Sequence, residues 1–195
     1  MNLPNKITIS RIILIPFIIF FYLSSNFIYA GKLFAGILFA VGILTDYLDG
    51  YLARKNNQIT LLGTFLDSIA DKMFVIAGLV LVVVDGTIAN PFGVIALIIV
   101  ISRELIVSAL RQIGAGKNII ISADMWGKVK ASVQFIAIFL FMIFSFFQDN
   151  VSILGTPLNT VFSVACYVLL SVTVLCTVLS GVHYLIKYKK VFKEN

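Results

Sequence analysis

Charge is what this chain of 195 residues has least of: Asp, Glu, Lys and Arg together make up 12% of it, against about a quarter in ordinary soluble domains. A water-facing surface and a sizeable soluble domain are thereby excluded. Cysteine occurs twice. Cys166 and Cys176 sit ten residues apart in one apolar segment, a spacing that forbids pairing along a rigid helix, so both read as packing residues. No repeat, low-complexity tract or linker interrupts the chain, which predicts a single domain over 1–195. The first apolar stretch lacks a small-residue cleavage site and carries Arg11 and Pro16 near its start. It reads as a retained span and not as a cleavable signal.

What is present in excess is apolar surface. The chain is 60% hydrophobic with a mean hydropathy of +1.04, which marks an integral membrane protein. Since one hydrocarbon core takes about 20 helical residues, the length accommodates six spans with short connections. Hydropathy predicts them near 7–25, 33–54, 60–84, 91–112, 128–147 and 158–187. Breaks fall at Ser24-Ser25-Asn26, at 54–58, at Asp85-Gly86 with Asn90-Pro91, from Gly114 to Asp124, and from Gln148 to Pro157. The expected fold is all-α: a polytopic six-transmembrane-helix bundle with a cytoplasm-facing active-site cavity. Gly36-x3-Ala40 is a small-x3-small pair suited to close helix packing.

Basic residues set the orientation. With six spans, Lys6, Arg11, Arg54, Lys55, Arg111, Lys117, Lys128, Lys130, Lys187, Lys189, Lys190 and Lys193 all fall on the side of the termini, and only Lys32 falls opposite. The positive-inside rule then places both termini, and the adjoining ends of the second and third helices, on the cytoplasmic side of the cell membrane. The formal charge of +6 suits anionic lipid headgroups and a phosphorylated substrate, with no need for a nucleic acid.

Four of the nine acidic side chains lie within one stretch of 26 residues, at Asp46, Asp49, Asp67 and Asp71. Carboxylates at membrane depth are costly and call for a function. Spacings of three and four put each pair on one helix face. An antiparallel hairpin turning near Gln58 levels Asp49 with Asp67 and Asp46 with Asp71, because facing residue numbers add to about 116. Four converging carboxylates repel one another unless cations intervene. Two divalent ions would balance them, and an all-oxygen set without nearby Cys or His favours Mg²⁺ or Mn²⁺ over zinc. Gly50, Ala53 and Gly63 leave room for a nucleotide or diphosphate to approach the backbone. The alternatives are pairing of Asp46 with Lys72 or Arg54, a proton path, or a cation transporter.

The full run, Asp46-x2-Asp49-Gly50-x2-Ala53-Arg54-x8-Gly63-x3-Asp67-x3-Asp71, resembles without departure the signature of the CDP-alcohol phosphatidyltransferases. The resemblance implies that Asp46, Asp49 and Asp67 are metal ligands and that Asp71 joins the metal site and acts as general base. It also implies that Gly50, Ala53, Arg54 and Gly63 line the CDP pocket, that the donor is CDP-diacylglycerol, that CMP is released, and that the protein is a homodimer. Metal ions on the diphosphate would stabilise the leaving group, and Asp71 would take the acceptor's hydroxyl proton.

The acceptor is read from the remaining cations. Arg103 lies inside the apolar run from Gly93 to Leu110, and with Arg111, Lys128 and Lys130 it could hold a phosphate dianion. Its structural alternative is a pair with Glu104 or with an aspartate of the motif. The segment from Asn2 to Arg11 and the run Ser102-Arg103-Glu104-Leu105 are similar to family members that use sn-glycerol 3-phosphate. This would bring Asn5, Thr8 and Arg11 to the mouth of the site, with helix capping as the other role for Thr8. Serine, inositol phosphate and phosphatidylglycerol are the alternative acceptors. His183 reads as a helix-end residue, Trp126 as an interface anchor, and Phe135 to Phe147 as a lipid-facing or packing surface.

Overall fold

The computed structural model describes residues 3–55, 61–88, 91–116, 125–150 and 156–188. Six helices account for nearly all of them: α1 (Leu3–Leu23), α2 (Gly31–Lys55), α3 (Leu61–Val84), α4 (Phe92–Gly116), α5 (Met125–Asn150) and α6 (Thr156–Lys187). There is no strand among the described residues. Among the described residues, four segments are long and apolar enough to cross a membrane: Ile7–Asn26, Phe92–Gly114, Gly127–Asp149 and Thr160–Lys187.

Most helix ends that depart from the sequence reading lie further out, at the start of α1, both ends of α2 and α5, the end of α4 and the start of α6, while α1 ends at Leu23 and α3 and α4 each begin one residue late. α1 begins at Leu3 because Pro4 falls in its first turn, where a missing N–H costs nothing. Thr8 is therefore well inside the helix and does not cap it. Gly114 and Gly116 prolong α4 instead of opening a loop. Lys117, Lys189, Lys190 and Lys193 lie outside the described residues.

Each helix buries one stripe and turns large apolar side chains outward. On α1 the stripe is Thr8, Arg11, Ile15, Ile18 and Tyr22, spaced three and four apart. On α6 it is Cys166, Leu170, Thr173, Thr177, Ser180 and Tyr184. The outward residues include Phe17, Phe20, Ile95, Ile98, Val168 and Leu179. This inverts the pattern of a soluble bundle and suits a hydrocarbon surround. The Phe-rich run divides between the two roles expected of it: Phe141, Phe144 and Phe146 are buried and Phe147 faces outward.

α1 packs against both α2 and α3, α5 against α2, α3 and α6, and α4 against α3 and α6. Two glycine notches set the heights. Phe74 stacks on Phe39 at 4.8 Å between ring centroids and presses into Gly42, where a Cβ would lie 2.1 Å from the ring. Gly78 receives Ile138 and Phe39 in the same way, at 2.6 and 2.9 Å. The facing pairs 42/74 and 39/78 have numbers adding to 116 and 117, the register that the aspartate spacing predicted. Gly36 is also spent inside the chain, since its open face meets Ile143 of α5 at 3.1 Å. The small-x3-small pair thus serves packing within one protomer.

At the end of the bundle remote from the motif, a polar cluster ties four elements together. Lys32 Nζ of α2 bridges Asp85 at 2.7 Å and Asp149 of α5 at 2.5 Å. Asp85 also accepts hydrogen bonds from Tyr22 of α1 at 3.3 Å, from Thr87 at 2.7 Å and from Ser145 of α5. Lys32 and Tyr22 are almost wholly buried. Burial alone would raise the Asp85 carboxyl, but the bonds from Lys32, Ser145 and Thr87 outweigh it and hold the group below its ordinary value.

Two outcomes follow from this packing. Replacing Gly42 by Val should lower the melting temperature in detergent, by about 1–3 kcal/mol of stability, because Phe74 cannot retreat without leaving Phe39. Asp85 contributes stability above its unfolded-state pKa and loses it as pH falls through the lower folded value. Melts of the wild type should therefore drop below about pH 4, and Asp85→Asn should flatten that part of the profile.

Candidate functional site

Arg11 is the centre around which the motif aspartates gather. α1 lies against both α2 and α3, and the buried stripe that positions Ile15 and Ile18 also sends the guanidinium inward. Its Nη1 meets Asp46 of α2 at 2.7 Å and Asp71 of α3 at 2.6 Å, and its Nη2 lies 3.5 Å from Asp67. The Arg11 side chain is 2% exposed, whereas the three carboxylates are between a third and a half exposed. One cation is thus buried behind three acids that open toward one side.

Oxygens of Asp46, Asp67 and Asp71 lie within 4.8 Å of one another. That separation is close to what an oxygen shell around a hard cation requires, since ligand distances of about 2.1–2.5 Å put facing oxygens roughly 4–5 Å apart. Three carboxylates against one guanidinium leave two negative charges, the deficit that one divalent ion would fill. The donor set therefore fits Mg²⁺, Mn²⁺ or Ca²⁺ better than zinc. Asp49, Gly50, Ala53 and Arg54 continue along α2, but their side chains lie outside the described ones. Gly63 is half-buried in the first turn of α3. Lys72 does not take up the pairing considered for it, because its Nζ bonds the carbonyl and hydroxyl of Ser68 at 3.1 and 2.8 Å.

A second cluster joins α4, α5 and α6. Glu104 takes the ammonium of the buried Lys130 and lies 3.5 Å from Arg103. Arg103 Nη2 donates to Ser180 at 2.5 Å, and its stem packs on Gly181, where a Cβ would stand 3.2 Å away. Tyr184, wholly buried, accepts from Arg111 Nη2 at 3.0 Å, and both guanidinium carbons stand over its ring at 5.8 Å and 5.5 Å. Three cations against one carboxylate leave two positive charges. Lys128 is exposed on α5 and outside this cluster, and His183 is exposed near the end of α6.

The clusters share a depth. The contact of Gly78 with Ile138 fixes α3 against α5, and counting back along both helices brings Lys130 to within about one residue, or 1.5 Å, of the height of Asp71. Sequence reasoning had singled out both charge sets and weighed Glu104 as a partner of Arg103, but not Arg11 among the acids or Tyr184 and Ser180 beside the basic cluster. Arg11 falls in register with Ile15, Ile18 and Tyr22, a sign that it points into the bundle. Tyr184 and Ser180 share the buried spacing of α6, which a search for charged residues passes over.

Against known proteins, the sequence model of the CDP-alcohol phosphatidyltransferases matches residues 1–186. Three bacterial relatives bear the name CDP-diacylglycerol--glycerol-3-phosphate 3-phosphatidyltransferase. The one from Haemophilus influenzae is 40% identical over 94% of this chain and 91% of its own. The one from Wigglesworthia glossinidia brevipalpis is 42% identical over 71% and 75%, and that from Bacillus subtilis 40% identical over 70% and 74%.

Removing the central cation tests the electrostatic account of the site. Arg11→Met should destabilise the protein in EDTA by about 3–5 kcal/mol, the cost of leaving buried charge unpaired. Adding Asp71→Asn should recover part of that loss, and millimolar Mn²⁺ should raise the melting temperature of Arg11→Met more than that of the wild type. Additive losses in the double variant would show that the two groups are not coupled.

Proposed function

The chain belongs to the CDP-alcohol phosphatidyltransferase family, and from that premise we propose that it transfers a phosphatidyl group from CDP-diacylglycerol to sn-glycerol 3-phosphate, giving phosphatidylglycerol phosphate and CMP. The observation that carries this reading is the pairing, at one depth, of a carboxylate cluster two charges negative with a basic cluster two charges positive. An acceptor with a hydroxyl at one end and a phosphate dianion at the other matches that pair. The names of the bacterial relatives support the same acceptor.

In this mechanism Asp46, Asp49, Asp67 and Asp71 would hold two divalent ions, Mg²⁺ or Mn²⁺, and Gly50, Ala53, Arg54 and Gly63 would surround the CDP moiety. Ions held by these carboxylates would supply positive charge for the donor diphosphate and the departing CMP. Asp71 accepts the proton of the attacking hydroxyl. Arg11 orients Asp71 through its 2.6 Å bond and supplies positive charge beside the transferred phosphate. Arg103, Lys130 and Arg111 hold the acceptor's phosphate, with exposed Lys128 at the approach. An apolar groove of about 450 Å³ between α1 and α3, lined by Ile15, Ile19, Met73, Ile76 and Val80 among others, suits an acyl chain of the donor.

The topology proposed with it is one domain of six spans in the cell membrane. α2 and α3, at 25 and 24 residues, extend about 36 Å and exceed a hydrocarbon core of about 30 Å. Both termini and the site face the cytoplasm, and the working unit is a homodimer.

A panel of alcohols offered to the purified enzyme with CDP-diacylglycerol tests the acceptor. Glycerol 3-phosphate should yield lipid product and CMP, and both should vanish with EDTA and in Asp67→Asn or Asp71→Asn. Arg103→Ala should raise the KM for glycerol 3-phosphate more than that for the donor. Product formation from serine or inositol phosphate alone would refute the acceptor, and metal flux through liposomes without CMP release would refute the reaction.

A further inference from the structure

Two polar side chains sit beneath the basic cluster without a visible purpose. Gln134 of α5 is 1% exposed and Thr177 of α6 is fully buried. Among the described residues, neither the amide nitrogen and oxygen of Gln134 nor the hydroxyl of Thr177 has a hydrogen-bond partner, and the same is true of Arg103 Nε. Thr177 does not resolve its need locally, although its neighbours do. Ser171 and Thr173 each donate to the carbonyl four residues back, at 2.8 Å. An unmet buried polar group costs about 1–3 kcal/mol, and more where hydrocarbon is the alternative solvent.

The three unmet groups fall at nearly one height in the bundle. Tyr184 Oη lies 3.7 Å from where a Gly127 Cβ would stand, and the Phe144 and Phe162 rings stack at 5.9 Å. These contacts fix α5 and α6 as antiparallel, and between them Gln134 falls within about two residues, or 3 Å, of the height of Thr177. Gln134 is one turn along α5 from Lys130, and Thr177 is one turn along α6 from Ser180, the partner of Arg103. Side chains on a helix lean toward its N-terminus, so the Gln134 amide leans toward Lys130.

We infer that Gln134, Thr177 and Arg103 Nε form the hydroxyl-recognising floor of the acceptor pocket, selecting a polyol phosphate over a phosphate lacking the hydroxyl next to the reacting one. The inference rests on the reading that a phosphorylated alcohol is the acceptor. The chemistry is complementary: an amide offers two N–H donors and a carbonyl, Arg103 Nε offers one donor, and a threonine hydroxyl both gives and accepts. A secondary alcohol needs one acceptor and up to two donors. With its phosphate held at Lys130 and Arg103, a short acceptor reaches this floor with its middle hydroxyl while its terminal hydroxyl turns toward Asp71. A site built on such bonds rejects an analogue without the hydroxyl far more strongly than an apolar pocket could.

The test compares sn-glycerol 3-phosphate with 3-hydroxypropyl phosphate, which lacks only the middle hydroxyl, in wild type, Gln134→Leu, Gln134→Met, Thr177→Val and Thr177→Ser. Wild type should prefer glycerol 3-phosphate at least tenfold in kcat/KM. Gln134→Leu, Gln134→Met and Thr177→Val should cut that preference to threefold or less through the acceptor KM, with donor KM and melting temperature held or raised. Thr177→Ser, which keeps the hydroxyl, should retain the preference. Equal use of the two phosphates by wild type, or full preference in both Gln134 variants and in Thr177→Val, overturns the inference. So does a fall in melting temperature with preference unchanged, the mark of a purely structural bond. If wild type uses neither phosphate but another alcohol, the acceptor reading itself fails, and that result appears before any variant is made.

Discussion

A guanidinium held between three carboxylates, inside a bundle whose outer face is hydrocarbon-like, is the constraint on which the rest of this structure depends. Burying Arg11 alone would be prohibitive, and gathering Asp46, Asp67 and Asp71 within 4.8 Å of one another without a cation would set like charges against each other. Each charge is tolerable only because the others are there, and they come from three helices. The contact therefore dictates that α1 meet both α2 and α3, with Ile15 and Ile18 falling into the core one and two turns further on. It also leaves the acids under-neutralised, which keeps the site receptive to further positive charge.

The same logic repeats at the other end of the bundle with the opposite outcome. Lys32, Asp85 and Asp149, with Tyr22, Thr87 and Ser145, form a cluster in which the Asp85 carboxylate gathers four donors. Between the two polar layers lie the Phe39–Phe74 stack and the notches at Gly42 and Gly78. Aromatic rings seated on glycines give a tightly specified height, and hydrocarbon packing alone would let helices slide. The hydrogen-bonded layer and the ring layer thus hold α2, α3 and α5 in register, and the layer with the larger charge imbalance is left at the opposite end.

Much of this was legible in the sequence because the membrane simplifies the code. Long apolar runs mark helices, and the fixed rise per residue turned the spacing of four aspartates into a register that the 42/74 and 39/78 contacts reproduce. What was not legible depends on side-chain direction across helices distant in sequence. Arg11 was read as a residue at the mouth of the site, yet it lies among the acids, because nothing local to Arg11 records which helices flank α1. Glu104 was weighed as a partner of Arg103 but also holds Lys130, 26 residues on. Gln134 and Thr177 were invisible as a pair, since a single amide in an apolar run and a single hydroxyl in another acquire meaning only when two helices set them at one height. The lengthening of α4 has a simpler cause: Gly114 and Gly116 read as breakers, but glycine is tolerated in a last turn.

The two unbalanced clusters also supply orientation. At a common depth, Asp46, Asp67 and Asp71 outnumber Arg11 on the α1–α3 side of the bundle, while Arg103, Arg111 and Lys130 outnumber Glu104 on the α4–α6 side. In a medium of low dielectric such opposed fields act strongly over a few ångströms. A small molecule bearing a phosphate at one end has one favourable alignment between them, with the phosphate toward Arg103, Lys130 and Arg111 and the hydroxyl end toward Asp71. Reversal would set the phosphate against Asp46, Asp67 and Asp71 and leave Lys130 paired only with Glu104. An uncharged alcohol would feel little of this and would have to be oriented by hydrogen bonds alone. The charge asymmetry across the bundle is therefore an argument about which end of the acceptor reacts, independent of the argument about which acceptor it is.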